Sequence, residues 1–183
     1  MITLWIVLGV IVLSVVYVTS IYNGLVRYRV EADIAWSQID VQLKRRHDLI
    51  PNLVETVKGA MQFERDTLTK VMEARAAAMG AGNLKDRMKA EGEISGFMSR
   101  LLAVWENYPQ LKANENTLHL QEELTTTENR IAFSRGHYND VTANFNTMID
   151  QFPSNIIAGM FTFAKKPFFE VPAAETKAPG VKF

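Results

Sequence analysis

The hydrophobic pattern changes character at residue 22. From 2 to 22 the chain reads ITLWIVLGVIVLSVVYVTSIY, almost wholly apolar, and no charged side chain occurs before Arg27. Twenty-one residues at ~1.5 Å each span ~31 Å, the thickness of a bilayer's hydrocarbon core. Thr3, Ser14, Thr19 and Ser20 are small hydroxyls able to bond back to their own helix. Trp5 at one end and Tyr17 and Tyr22 at the other suit the interfacial belts. A cleaved signal peptide would need a basic leader and a small-residue cleavage site, and neither is present. The pattern predicts a single transmembrane anchor over 1–23. Lys and Arg are missing before it, whereas Arg27 and Arg29, then Lys44, Arg45 and Arg46, follow it. The positive-inside rule therefore places the N-terminus outside and the rest in the cytoplasm.

Beyond the anchor the apolar period becomes helical. Residues 22–79 read as one continuous helix, with a seven-residue stripe at Trp36, Leu43, Ile50 and Val57 that resumes at Val71. Pro51 removes one backbone donor and is expected to kink or break this helix after Ile50. Gly80-Ala81-Gly82-Asn83 is the first clear stop. A second helix is predicted over 84–107, with Ile94, Phe97, Met98, Leu101, Leu102 and Trp105 at three- and four-residue spacing. Tyr108-Pro109 ends it. A third runs over 114–151, with a seam of Leu124, Ile131, Tyr138, Phe145 and Phe152. The apolar segment 155–164 is read as capping the bundle core, in preference to lying on a membrane as an amphipathic anchor. Residues 165–183 form an extended, Pro/Ala-rich tail. No strand-like alternation appears. The expected fold is all-α: an N-terminal transmembrane helix, then an antiparallel long-helix bundle of four-helix type over 24–164.

Composition narrows the function classes. Lys+Arg and Asp+Glu both number 20, which removes the basic footprint of a nucleic-acid binder. The absence of Cys excludes thiolate catalysis and Cys-ligated zinc, and three His are few for a metal site. No H-E-x-x-H helix, paired E-x-x-H motifs, G-x-S-x-G elbow or phosphate loop occurs. No catalytic residue, cofactor, metal or small-molecule substrate is therefore expected, and the chain is not read as an enzyme.

The densest polar cluster is Lys44-Arg45-Arg46-His47-Asp48. Asp40, Lys44, His47 and Asp48 fall at i, i+4, i+7 and i+8, so the period places them on one helical face. One reading makes this a surface for a partner or an anionic lipid head group. The plainer reading is a salt-bridged patch, with Arg45 or Arg46 pairing with Glu128 or Asp140 of the third helix. The latter helix is rich in Asn (Asn129, Asn139, Asn144, Asn146), a poor helix former, which suggests polar bonds to neighbouring helices or a partner-binding face. The candidate interaction surface is Asp40, Lys44, Arg45, Arg46, His47, Asp48, Glu128, Arg130 and Asn139.

Several stretches resemble the LemA family. They are Tyr22-Asn23-Gly24-Leu25-Val26, residues 40–59 (DVQLKRRHDLIPNLVETVKG), Glu128-Asn129-Arg130-Ile131-Ala132 and His137-Tyr138-Asn139-Asp140. Residues 152–161 (FPSNIIAGMF), Phe168-Phe169-Glu170 and the closing Pro179-Gly180-Val181-Lys182-Phe183 fit as well. The resemblance implies a bacterial inner-membrane protein, single-pass with its N-terminus outside, carrying a four-helix soluble part. It supplies no enzyme activity. Such proteins are associated with envelope stress, membrane zinc proteases and magnetosome membranes, which by analogy implies a scaffold or adaptor. The expected function is a membrane-anchored scaffold acting through protein partners and copies of itself. The alternative is a metal-dependent or lipid-binding protein centred on residues 40–48.

Overall fold

One α-helix, α1 (Ile2–Ala60), carries the apolar run and continues through Pro51. The structure, a computed structural model, describes residues 1–60, 65–105 and 115–169. After α1 come α2 (Arg65–Gly80), α3 (Leu84–Trp105), α4 (Glu115–Asp150) and α5 (Ser154–Met160). Among the described residues there is no strand, so the fold is all-α as expected. The Tyr108-Pro109 stop and the tail from 170 onward lie outside the described residues.

The expected course of the first helix needs correcting. It does not break after Ile50, and it does not reach residue 79: α1 ends at Ala60 and α2 is a separate helix. Pro51 lacks the N–H that would bond the carbonyl of His47 one turn earlier. Arg75 of α2 fills that vacancy, its Nε donating to the His47 carbonyl at 2.9 Å. In a single helix these two residues, 28 apart in sequence, would be separated by ~42 Å. The bond therefore requires α2 to lie beside α1.

Contacts divide the chain into two compact units. The first comprises Met1–Ser37 and Gly136–Phe168. Its N-terminal stretch is exposed throughout, and its length and composition make it a candidate membrane span. Ser14 and Thr19 bond the carbonyls of Val10 and Val15, each at 2.8 Å, so their hydroxyls present no unmet donor. Past the apolar run, α4 descends along α1. Trp36 packs edge-on to Tyr138, with ring centroids 5.6 Å apart, and Met148 lies over Gly24. A Cβ on Gly24 would come within 2.8 Å of Met148 Cε, so the glycine permits the close approach. Leu25, Phe145, Ile157 and Ala158 form the core.

Residues 163–168 run without regular structure along the same unit. Asn146 holds them by two 2.9 Å bonds, from its Nδ2 to the Lys166 carbonyl and from the Lys166 N–H to its Oδ1. Tyr138 donates to the Pro167 carbonyl at 2.9 Å, and Lys166 Nζ reaches Asp33 at 2.6 Å. Burial pushes the Tyr138 phenol above its usual range, so the group stays a protonated donor. Helix α5 closes with a Schellman arrangement: Phe163 N–H bonds the Ala158 carbonyl and Thr162 N–H the Gly159 carbonyl. Thr162 takes the left-handed position at φ 54°, usually a glycine's place.

The second unit, Gln38–Arg135 with Phe169, packs four helical segments around one core. Ile50, Leu53 and Val54 of α1 meet Leu68, Val71 and Ala78 of α2. Ile94, Met98, Leu101 and Trp105 of α3 and Leu124 of α4 complete it. Asn83 serves as the start of α3 as well as the stop before it. Its Oδ1 accepts the Asp86 N–H at 2.9 Å and its Nδ2 donates to the Asp86 carboxylate at 2.7 Å. Such a cap contributes about 1 kcal/mol.

Candidate functional site

Burial along α1 follows the row Leu25, Ala32, Ile39, Arg46 and Leu53, seven apart. Trp36, placed on the stripe by the sequence, is only half-buried, and Val57 lies outside the described side chains. Arg46 thus occupies a core position between Ile39 and Leu53, fully shielded from solvent. On α3 the row of Ile94, Met98, Leu101 and Trp105 likewise contains a charged member one turn earlier, Glu91, also fully buried.

These two residues meet. Arg46 Nη2 pairs with Glu91 Oε2 and also donates to the Glu91 carbonyl at 3.2 Å. Arg46 Nη1 bonds Ser95 Oγ at 2.7 Å and Glu128 Oε1 at 3.1 Å. The Ser95 hydroxyl accepts a second bond from Arg135 Nη2 at 2.9 Å and donates to Glu128 Oε2 at 3.3 Å. One donor and two acceptor sites are the full capacity of a hydroxyl. Arg135 also stacks on Phe169, its guanidinium carbon 4.4 Å from the ring centre. His47 Nε2 lies 2.9 Å from Glu91 Oε1.

The network joins α1, α3 and α4 through two arginines and two glutamates, which balance in charge. Burial alone would raise the Glu91 carboxyl. His47 and Arg46 together outweigh that and hold it below the ordinary glutamate value of 4.5, so it stays ionised.

The structure separates the predicted surface residues. Arg46 and His47 face the core, and Glu128 is partly shielded above them. Asp40 pairs with Arg87 and Arg45 with Glu123, both toward solvent. Such rim pairs contribute ~0–1 kcal/mol. Lys44, Asp48 and Arg130 are exposed, and Asn139 is half-buried. The face expected to hold Asp40, Lys44, His47 and Asp48 together is split, because His47 turns inward. The pairing of Arg46 with Glu128 follows the plainer reading of the cluster; Asp140 is exposed and takes no part in the network. Sequence reasoning missed Glu91, Ser95, Arg135 and Arg75. For Glu91 and Arg46 a signal existed: each is a charged residue seven or four steps from apolar core positions. Among the described residues, no three His, Asp or Glu side chains converge.

The outer surface of this unit has a shallow groove of about 350 Å³ lined by Gln42, Thr126, Asn129, Arg130, Phe133 and Ser134. Phe133 stands 82% exposed at its edge. Gln42 Oε1 has no hydrogen-bond partner among the described residues.

The LemA family model matches residues 35–183, which contain the whole of this network. The chain belongs to the LemA family. Among its relatives, the magnetosome protein MamQ of Magnetospirillum gryphiswaldense is 26% identical over 92% of this chain and 74% of its own length. Magnetosome protein MamQ 2 of Paramagnetospirillum magneticum is 26% identical over 85% of this chain and 67% of its own. Protein LemA of Metamycoplasma hominis is 26% identical over 84% of this chain and 70% of its own. In this LemA chain the charges at the centre of the matched region neutralise one another, and the groove stands open beside them.

Proposed function

We propose that this LemA chain is a membrane-anchored, non-enzymatic scaffold that works by holding protein partners, copies of itself included, in the upkeep of the cell envelope. Residues 2–22 are the single span, with the N-terminus outside and the following helices in the cytoplasm. Arg27 and Arg29, directly after an uncharged run, support that orientation. Three of the relatives carry the name of the magnetosome, a structure and not a reaction, which suits a scaffold.

The observation that carries the reading is the groove. A large aromatic side chain exposed beside an arginine is the composition of binding hot spots. Arg130 and Asn129 provide the polar surroundings, while Arg46, His47 and Glu128 hold the helices that present them. Crosslinking in native membranes tests this. The wild-type chain should be trapped with partners or copies of itself, and Phe133→Glu with Arg130→Glu should reduce that yield without unfolding the protein. A strictly monomeric, partner-free wild type overturns the reading.

A further inference from the structure

The apolar run of α1 ends at Tyr22, and the segment around α5 packs against that end. Phe161 lies 4.7 Å from the Tyr22 ring and Phe163 5.8 Å, centroid to centroid. The descent of α4 along α1 sets the level. Trp36 meets Tyr138 and Gly24 meets Met148, so the two helices run antiparallel at nearly one residue per residue. Phe152 comes four residues after Met148. The chain therefore turns at the height where the apolar run gives way to Asn23 and Arg27.

Helix α5 is two-faced. Ser154, Ile157 and Ala158 are buried, the last two against Leu25 and Phe145. The opposite face shows Ile156 and Met160, one turn apart, at 53% and 70% exposure, with Phe152 and Phe161 flanking them at 76% and 50%. Side chains within the span itself are similarly bare, Val12 at 54% and Leu4 at 72%. Capping the core accounts for Ile157 and Ala158 and leaves four large apolar groups facing outward. Arg29, seven residues beyond Tyr22, lies over Phe163 at 5.2 Å, and Lys165 pairs with Asp150 at the level of the turn. Apolar groups toward the acyl chains and cations toward the head groups are the profile of a segment lying in a membrane interface.

We infer that α5, with Phe152 and Phe161, is a second membrane contact, embedded in the head-group boundary of the leaflet from which α1 emerges. The inference rests on residues 2–22 being a membrane span, which brings the same bilayer to this face. The occupant is lipid, because the patch continues the bare apolar surface of α1 at its polar end.

The chain has no cysteine, so single labelling sites are available without background. Met160→Cys and Ile156→Cys, each carrying a nitroxide, are reconstituted as full-length protein in vesicles of phosphatidylethanolamine and phosphatidylglycerol. Val12→Cys reports the span and Glu122→Cys an exposed position on α4. The ratio of oxygen to nickel-chelate accessibility at 156 and 160 should exceed that at 122 several-fold and approach that at 12. If 12 is in lipid while 156 and 160 are open to nickel, or shielded from both reagents by protein, the interfacial contact is wrong and the span stands. If 12 itself is open to nickel, the span reading fails and the inference with it.

Discussion

Arg75 and His47 are joined by a bond that exists because of a third residue. The His47 carbonyl lost its helical donor to Pro51, and the Arg75 guanidinium supplies one from the neighbouring helix. A proline inside a helix is thereby turned from a breaking point into a docking point for α2.

That relationship predicts a coupled pair. Arg75→Ala should destabilise the protein by about 1–3 kcal/mol, because it strands a shielded carbonyl. In a Pro51→Ala background the helix recovers its own bond, and the same substitution should matter much less. A double-mutant cycle in denaturant should show coupling of at least ~0.5 kcal/mol. Additive effects would show that Arg75 does not compensate for the proline.

The buried ion network gives a second prediction. Arg46→Ala or Glu91→Ala alone should cost ~3–5 kcal/mol, since each leaves a charge unpaired in the core. Replacing Arg46 and Glu91 together by apolar residues of similar volume, which leaves Glu128 to balance Arg135, should recover most of that loss. Thermal unfolding of the full chain in detergent would separate the two outcomes.

Acid should weaken the protein through Glu91. Its folded pKa lies below the ordinary 4.5, so its contribution is complete above that value and is lost as the pH falls through the depressed folded value. Denaturant midpoints measured down through the carboxylate range should drop less steeply for Glu91→Gln than for the wild type.

Thr162 predicts a gain. A β-branched side chain at φ 54° is strained by about 1–2 kcal/mol, which glycine would relieve. Thr162→Gly should raise the unfolding midpoint without altering the α5 contacts. A lower midpoint would mean that the threonine side chain contributes more than its backbone strain removes.

Much of this was legible in the sequence. The long apolar N-terminal helix, the α3 and α4 stripes and the stop at Gly80 all follow from local pattern, because helices repeat their environment every three to four residues. The continuity of α1 through Pro51 was not legible, because its compensation comes from a residue 28 positions away. Arg46 was assigned to a surface cluster because its immediate neighbours are charged. Its place became visible only in the longer row from Leu25 to Leu53. Phe152 continues the α4 seam in spacing but falls beyond the end of the helix, where the seam no longer meets a partner. Asn146 does make the polar bonds expected of the Asn-rich helix, though to the backbone of residue 166.

The position of Arg46 within its apolar row has one more effect. Repeating stripes are ambiguous: a helix slid by seven residues presents nearly the same hydrophobic face to its neighbour. Were α1 displaced by one such step against α3, Ile39 or Leu53 would stand opposite Glu91, and two opposite charges would be stranded apart in an apolar interior. The ion pair therefore acts as an index mark. It tells two otherwise interchangeable stripes which turn belongs beside which.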